Sequence, residues 1–340
     1  MKPEMSERLF IEELFRQSVK EKKINIEKIK SIERLTGDAS TRRYYRVFCT
    51  KISYVVCLDN PSEDENDFVQ KQSFFHGEKI RVPLVLDSNP SKGYILEEDL
   101  GDQTLIQEMV SIENPNEELE TYTKIIDELI KIHKVKTDKI NASQLFELKF
   151  DVAKYMDEID FSLRYFYKKF LKISELGPID KLNNEFKRIC IEIASKNMVL
   201  THRDFHSRNI MVKDSELVII DFQDARMGIP QYDLASLLDD CYYELNSDNK
   251  NILLKYYYSE MKEFLVDQTS FEEFERLYDL VTIQRVFKAI GSFSYIFEHR
   301  KDERYVKYIG FGMEKIKKIL LKKTEYSELR KILFGSYYAS

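Results

Sequence analysis

Residues 199–240 read VLTHRDFHSRNIMVKDSELVIIDFQDARMGIPQYDLASLLDD, and this stretch decides the fold. A short apolar run at its start and a second one at residues 217–220 predict two strands. The first run leads into an H-R-D-x-x-x-x-N loop that contains Asp204 and Asn209. The second run ends at Asp221. The order of these polar residues between strands is the feature from which the other interpretations follow.

The three polar residues fit the requirements of phosphoryl transfer. Asp204 would accept or orient the proton of an acceptor hydroxyl, while Asn209 and Asp221 would offer the oxygen ligands that Mg²⁺ prefers. Each of them alone could be an ordinary surface residue. Together, in this order, they predict a phosphotransferase that uses ATP and Mg²⁺, with Asp204 as its catalytic base.

The residues around this set resemble the aminoglycoside phosphotransferase/choline kinase family, the small-molecule branch of the protein-kinase-like fold. The segment I-D-F-Q-D-A-x-x-G-x-P-x-Y-D-L-A-S-L-L, which starts at Ile220, resembles the bacterial kinases that phosphorylate the C1 hydroxyl of N-acetylmuramate and N-acetylglucosamine. The resemblance implies a two-lobed α+β fold, with a small antiparallel sheet in residues 1–97 and a larger, mostly helical lobe in residues 98–340. It also implies that Asp233 supports the catalytic loop; by position, Asp233 is expected to cap the helix that follows.

Length and composition exclude several other classes of protein. The 340 residues are 43% hydrophobic and carry a formal net charge of −6, so no overall positive field favours nucleic acid. No apolar run is long enough to span a membrane, and the start resembles no signal peptide. The four cysteines show no metal-binding spacing. We therefore expect a cytoplasmic protein with no nucleic-acid or membrane partner. The resemblance implies a small sugar as its substrate, and the sequence leaves the oligomeric state open.

The N-terminal region predicts an amphipathic helix over residues 4–20 and strands over residues 32–35, 42–49 and 52–58. The turn between the first two strands resembles a nucleotide loop, although a plain hairpin would look similar. Its backbone N–H groups would bind phosphates. The residues expected to do so are Gly37, Asp38, Ala39, Ser40 and Thr41.

The third predicted strand lacks the phosphate-binding lysine of the kinase pattern, because Cys57 occupies that position. Side chains alternate along a strand, so Arg43 shares a face with Tyr45, and Arg42 shares the other face with Tyr44. We expect Arg43 to contact the phosphates. A solvated arginine without such a role is an equally good explanation.

A hairpin around residues 89–93 leads to a segment that resembles the family's hinge, where the backbone of Glu98 and Leu100 would pair with adenine. The segment Y-M-x-E-I-x-F resembles a helical insert over the acceptor site, which makes Glu158 a candidate substrate contact; core packing is the alternative. Helices are expected over residues 65–79, 116–136, 150–173, 180–195 and 247–340. The other candidate substrate-binding residues are Arg203, His206, Gln223 and Asp224.

Two further readings of the sequence stay open. A sister kinase for an aminoglycoside, choline or another alcohol would share the catalytic residues, and Glu158, Asp160, Asp239 and Asp240 could form the acidic pocket that such cationic acceptors need. A nucleotide-binding pseudokinase is suggested by Cys57. The complete set of three catalytic residues argues against the pseudokinase.

Overall fold

The computed structural model describes residues 5–26, 28–35, 42–64, 66–267 and 270–339. Its contacts divide the chain into two compact units. The first unit contains Met1–Gln103 and Met211–Gln223, and the second contains Thr104–Ile210 and Asp224–Ser340. The predicted nucleotide turn, with Gly37, Asp38, Ala39, Ser40 and Thr41, lies outside the described residues.

The first unit is built on an antiparallel sheet of five strands in the order β1-β2-β3-β5-β4. Alternation along β2 and β3 places Tyr45, Val47 and Val56 on one face, where they are buried against the helix α1. The predicted N-terminal helix and the three following strands are present, although β1 begins at Ile29 rather than at Ile32. The elements are α1 (Met5–Lys20), β1 (Ile29–Arg34), β2 (Arg43–Cys49), β3 (Ser53–Leu58), α2 (Asp67–Gly77), β4 (Val85–Asn89) and β5 (Tyr94–Glu98).

The rest of the chain is mainly helical. Strands β6 and β9 pair in the second unit, while the β7–β8 pairing belongs, from Met211 onward, to the first. The elements are α3 (Leu105–Val110), α4 (Pro115–His133), α5 (Thr137–Ser143), α6 (Val152–Ser162), α7 (Leu176–Ala194), β6 (Val199–Thr201), β7 (Ile210–Lys213), β8 (Glu216–Ile219), β9 (Arg226–Gly228), α8 (Gln231–Leu238), α9 (Ser247–Met261), α10 (Phe271–Arg300), α11 (Val306–Leu320) and α12 (Ser327–Ala339).

The long helix α10 forms the centre of the second unit. It packs against α6, α8 and α11 and is buried on most of its circumference, as expected for a helix with apolar residues all round. The approach to α6 is close: a Cβ atom on Gly291 would lie 2.6 Å from the Cα of Ser162. Just beyond this point the single helix predicted for residues 150–173 changes into a π-helical segment, Leu163–Phe170.

The architecture confirms the predicted fold class, since an antiparallel sheet occupies the smaller unit and helices dominate the larger one. Within the part of the chain that the structure describes, no helix combines the length and apolarity needed to cross a membrane.

Candidate functional site

The H-R-D loop between β6 and β7 is held in place by Asp233. The carboxylate of Asp233 accepts hydrogen bonds from the backbone N–H groups of His202 (2.6 Å) and Arg203 (2.8 Å), and its Oδ2 lies 3.2 Å from Nε2 of His133. Arg203 has a φ of 83°, a conformation that costs energy for a residue with a side chain. The buried carboxylate therefore stabilises a strained loop.

The prediction that Asp233 caps the next helix is wrong. Helix α8 begins at Gln231, with Pro230 at the capping position, so Asp233 lies inside the first turn. Its carboxylate accepts hydrogen bonds from the loop instead of from the helix, because buried backbone N–H groups need hydrogen-bond partners.

Asp204 faces a cluster of cations. Nζ of Lys288 lies 2.9 Å from its Oδ1, and a guanidinium nitrogen of Arg285 lies 3.5 Å from the same atom. Burial by itself would raise the pKa of Asp204, but Lys288, Arg285 and Arg203 outweigh burial and hold that pKa well below its usual range. Asp204 is therefore an ionised carboxylate with its charge compensated by the surrounding cations.

No feature of the sequence pointed to this cluster of cations. Lys288 follows Asp204 by 84 residues and lies on α10. The apolar periodicity of this helix is that of an ordinary core helix and does not indicate a contact with the loop. Only the packing of α10 in the second unit brings Arg285 and Lys288 to the loop. The resemblance to known kinases covered the catalytic loop and did not extend to this helix.

Asp204 and His206 line a cavity of about 120 Å³ in the second unit. Burial lowers the pKa of His206 to about 4, against the opposing effect of Asp240 and Asp204, so the imidazole is neutral at neutral pH. Among the described residues, Nδ1 of His206 is buried without a hydrogen-bond partner. A buried polar atom of this kind calls for a ligand or water, and a hydroxyl-bearing ligand would satisfy it.

The acidic residues beside this cavity, Asp239 and Asp240, have partners within the protein. Asp239 pairs with Lys250 at 2.6 Å and accepts a hydrogen bond from the hydroxyl of Tyr278. Asp240 accepts a hydrogen bond from the backbone N–H of Ser207 at 3.0 Å. These carboxylates have partners within the protein, and the charged groups within ion-pair distance of Asp204 include Lys288 and Arg285.

Three of the predicted acceptor contacts have partners within the protein. The carboxylate of Glu158 is buried, and its Oε2 accepts hydrogen bonds from Tyr232 (3.1 Å) and Gln284 (3.2 Å), which favours the alternative of core packing. Arg203 and Asp224 form an ion pair with each other.

Asp221 follows β8 in the first unit and has a φ of 64°. The amide nitrogen of Gln223 donates to its Oδ1 at 2.5 Å, and Phe222 between them stacks on Phe68 with a centroid distance of 4.8 Å. The buried Lys71 of α2 donates to the carbonyl of Gln223 at 2.6 Å. The sequence pattern did not predict this lysine, which places a cation beside the segment that contains Asp221.

Asn209, in the second unit, reaches back across the catalytic loop, and its amide nitrogen donates to the carbonyl of Asp204 at 3.0 Å. An amide and a carboxylate are suitable ligands for Mg²⁺, which usually takes one or two protein oxygens and completes its shell with phosphate and water. Taken separately, Asn209 and Asp221 are each of a residue type that suits this metal, and their shared role stays a prediction.

The prediction that Arg43 contacts phosphate is wrong. Arg43 lies on the β2 face that packs on α1, and its guanidinium pairs with Glu7 at 2.7 Å. The alternation rule correctly separated the two faces, but it could not tell which face α1 covers. On the opposite face Arg42 pairs with Asp59 at 2.8 Å, near the buried Cys57, whose pKa burial raises to about 12.

At the predicted hinge, the side chain of Glu98 is held by Arg81 at 2.5 Å and by Lys213 at 3.2 Å. Its backbone N–H donates to the carbonyl of Leu84 at 3.0 Å and is therefore engaged. The pairing of the backbone of Glu98 and Leu100 with adenine stays a prediction.

The fold and the catalytic loop are those of a phosphotransferase. Residues 31–263 match the model of the APH phosphotransferase enzyme family, and the chain belongs to that family.

Among its relatives are two proteins named N-acetylmuramate/N-acetylglucosamine kinase. The one from Pseudomonas aeruginosa is 27% identical over 304 residues, which cover 88% of this chain and 86% of the relative. The one from Neisseria meningitidis serogroup B is 24% identical over 301 residues, covering 87% and 88%.

Solved structures share the fold at lower identity. The choline kinase LicA from Streptococcus pneumoniae matches with a TM-score of 0.59 at 16% identity, covering 90% of this chain and 99% of that one. An ADP-bound aminoglycoside phosphotransferase matches with a TM-score of 0.55 at 18% identity, covering 89% and 97%.

Proposed function

We propose that this protein is a cytoplasmic kinase that transfers the γ-phosphoryl group of ATP to the C1 hydroxyl of N-acetylmuramate or N-acetylglucosamine, in the salvage of cell-wall sugars. The names of its relatives support the acceptor. The observation that carries the proposal is the cationic surrounding of Asp204, formed by Lys288 and Arg285.

The cations beside Asp204 favour some of the candidate acceptors over others. A protonated aminoglycoside or choline would bring positive charge towards Lys288 and Arg285, and like charges at short range are unfavourable in a buried site. Asp239, one of the acidic residues that such acceptors could use, is paired with Lys250. A neutral or anionic sugar meets no such obstacle.

The ionisation of Asp204 also suits the proposed reaction. An anomeric hydroxyl is more acidic than an ordinary alcohol, so a carboxylate whose basicity is reduced by neighbouring cations can still take its proton. Asp204 would orient this hydroxyl towards the γ-phosphate and accept its proton as the new bond forms. His206, Arg203, Gln223 and Asp224 are the proposed contacts to the rest of the acceptor.

The nucleotide end of the site follows the kinase pattern. Residues 37–41 would cover the phosphates, and the backbone of residues 98–100 would pair with adenine. We assign Lys71 to the role of the missing third-strand lysine, because it is the buried cation beside the segment of Asp221. Asn209 and Asp221 would hold Mg²⁺, which neutralises charge between the phosphates when bound.

The test is ATP consumption in the presence of Mg²⁺ with N-acetylmuramate, N-acetylglucosamine, glucose, choline and kanamycin as acceptors. We expect turnover with the two N-acetyl sugars and none with their methyl glycosides, in which the C1 hydroxyl is blocked. Turnover with choline or kanamycin alone would refute the acceptor and retain the phosphotransferase.

A pseudokinase is the second candidate, favoured by Cys57 in place of the lysine. It predicts ATP binding without turnover of any acceptor on the panel. In that case an Asp204→Asn variant would leave the binding function unchanged, whereas in a kinase it removes most of the turnover and leaves nucleotide binding intact.

A further inference from the structure

Arg208, the residue before Asn209, is held in an unusual environment in the second unit. Its guanidinium carbon lies 3.9 Å from the ring centroid of Tyr242, and the rings of Tyr305 and Tyr308 lie at 5.5 Å and 5.8 Å. Three aromatic rings around one guanidinium fix its orientation, because a planar cation stacks favourably on aromatic faces.

The hydrogen-bonding capacity of Arg208 is largely unused. A guanidinium has five N–H donors, and the bond from Arg208 to the hydroxyl of Tyr305, at 3.3 Å, is weak. Throughout the described ranges, no carboxylate lies within ion-pair distance of Arg208. Arg203, by contrast, is paired with Asp224.

The charge around Arg208 points to an anion. It lines a cavity of about 380 Å³ together with Tyr305, Tyr308, Glu303, Arg304 and Lys307. Three of the four ionised side chains are cationic, and Arg304 has its own partner in Asp302 at 2.6 Å. An oriented guanidinium without a counter-ion in such a cavity is a binding group for carboxylate or phosphate.

Tyr242, which contacts Arg208, also reaches the reaction centre. The same residue lines the 120 Å³ cavity that contains Asp204, and its ring meets that of His206 edge to face at 5.5 Å. Arg208 therefore lies one aromatic ring away from the space that receives the acceptor hydroxyl. An acceptor that reacts at Asp204 and carries a carboxylate elsewhere on its ring has a cation to meet it here.

We propose that Arg208, held on Tyr242, Tyr305 and Tyr308, binds the carboxylate of an acidic acceptor sugar and makes the protein prefer N-acetylmuramate to N-acetylglucosamine. The two sugars differ by a lactyl ether that ends in a carboxylate. The inference rests on the proposed function and adds its specificity-determining residue.

The experiment compares N-acetylmuramate with its methyl ester, which keeps the shape of the sugar and removes the charge. For the wild type we expect KM to be about tenfold or more lower for the acid than for the ester, equivalent to about 1.4 kcal/mol. In Arg208→Gln this ratio falls to near one, while kcat/KM for N-acetylglucosamine and KM for ATP stay close to wild type. Arg208→Lys keeps the charge without the planar fork, so its ratio should lie between those of the wild type and Arg208→Gln.

Arg188→Gln is the matched control. Arg188 also lies over a tyrosine ring, at 5.3 Å from Tyr326, but it pairs with Glu185 at 2.9 Å on an exposed part of α7. We expect this variant to retain the full preference for the acid. Unchanged turnover of N-acetylglucosamine by Arg208→Gln shows that the variant is folded.

The outcomes separate the two proposals. If the wild type phosphorylates both sugars but does not distinguish acid from ester, or if Arg208→Gln retains the preference, the role of Arg208 is refuted and the kinase stands. A rise in KM for ATP with both sugars would assign Arg208 to nucleotide phosphate and equally overturn its role with the acceptor. If the wild type phosphorylates neither sugar, both proposals fail together.

Discussion

Removal of Lys288 should raise the pKa of Asp204. In Lys288→Met the ammonium 2.9 Å from Oδ1 of Asp204 is replaced by an uncharged side chain of similar length, while Arg285 remains at 3.5 Å. The two side chains are 16% and 19% exposed, so solvent screens the pair only weakly. The carboxylate therefore loses its nearest compensating charge but keeps its burial.

The magnitude follows from the strength of such a contact. A hydrogen bond to a charged group contributes about 1.5–3 kcal/mol, and a tenfold change in a protonation equilibrium corresponds to about 1.4 kcal/mol, so the pKa of Asp204 should rise by the equivalent of this lost contribution. Because the working form is the carboxylate, the acid limb of the kcat/KM profile should move to higher pH by the same amount.

The assay is the pH dependence of kcat/KM with N-acetylglucosamine, an acceptor without a carboxylate of its own. Lys323→Met is the matched control, since Lys323 pairs with Asp279 at 2.8 Å with side chains 15% and 22% exposed. Both variants lose a comparable ion pair, and only Lys288→Met should displace the acid limb. An acid limb that coincides in wild type, Lys288→Met and Lys323→Met would refute the electrostatic role of Lys288.

Three further predictions concern stability and nucleotide binding. Asp204→Asn leaves Lys288 without its carboxylate and should lower the free energy of unfolding by about 3 kcal/mol at neutral pH. Because the folded pKa of Asp204 is depressed, this difference is complete above its unfolded pKa of about 3.9 and shrinks as the pH falls through the folded value; urea unfolding at several pH values measures it. Lys71→Met should weaken ATP binding about tenfold, equivalent to about 1.4 kcal/mol, and calorimetry that finds an unchanged Kd would exclude Lys71 from the phosphate site. Gly291→Ala should destabilise the fold by about 1–3 kcal/mol through the clash with α6, whereas Gly335→Ala, with open space around its Cβ position, should not lower the Tm.

The catalytic loop was predictable because its residues are close together in sequence. Asp204 and Asn209 occupy one short loop, and Asp221 follows the next hairpin, so local spacing specifies their order between strands. The helices and strands were also predictable where apolar periodicity was strong, as in α1 and β2. Boundaries were less certain, since the predicted helix over residues 150–173 ends at Ser162 and continues as a π-helical segment.

The partners of charged residues were not predictable in the same way. Strand alternation separated Arg43 from Arg42, but the face that α1 covers depends on packing, and Arg43 pairs with Glu7 for that reason. Asp233 was expected to cap a helix by its position and instead satisfies buried N–H groups of the catalytic loop. Glu158 was expected at the acceptor and is engaged in the core.

By itself, the sequence determined the fold class and predicted a catalytic carboxylate and metal ligands, because these depend on periodicity and on the spacing of neighbouring residues. Only the tertiary structure decided the electrostatic character of the site. Lys288 and Arg285, more than 80 residues further along the chain, approach Asp204 from α10. The aromatic rings around Arg208 come from Tyr242, Tyr305 and Tyr308. Charges act through space over a few ångströms, so their effect depends on which distant segments packing brings together.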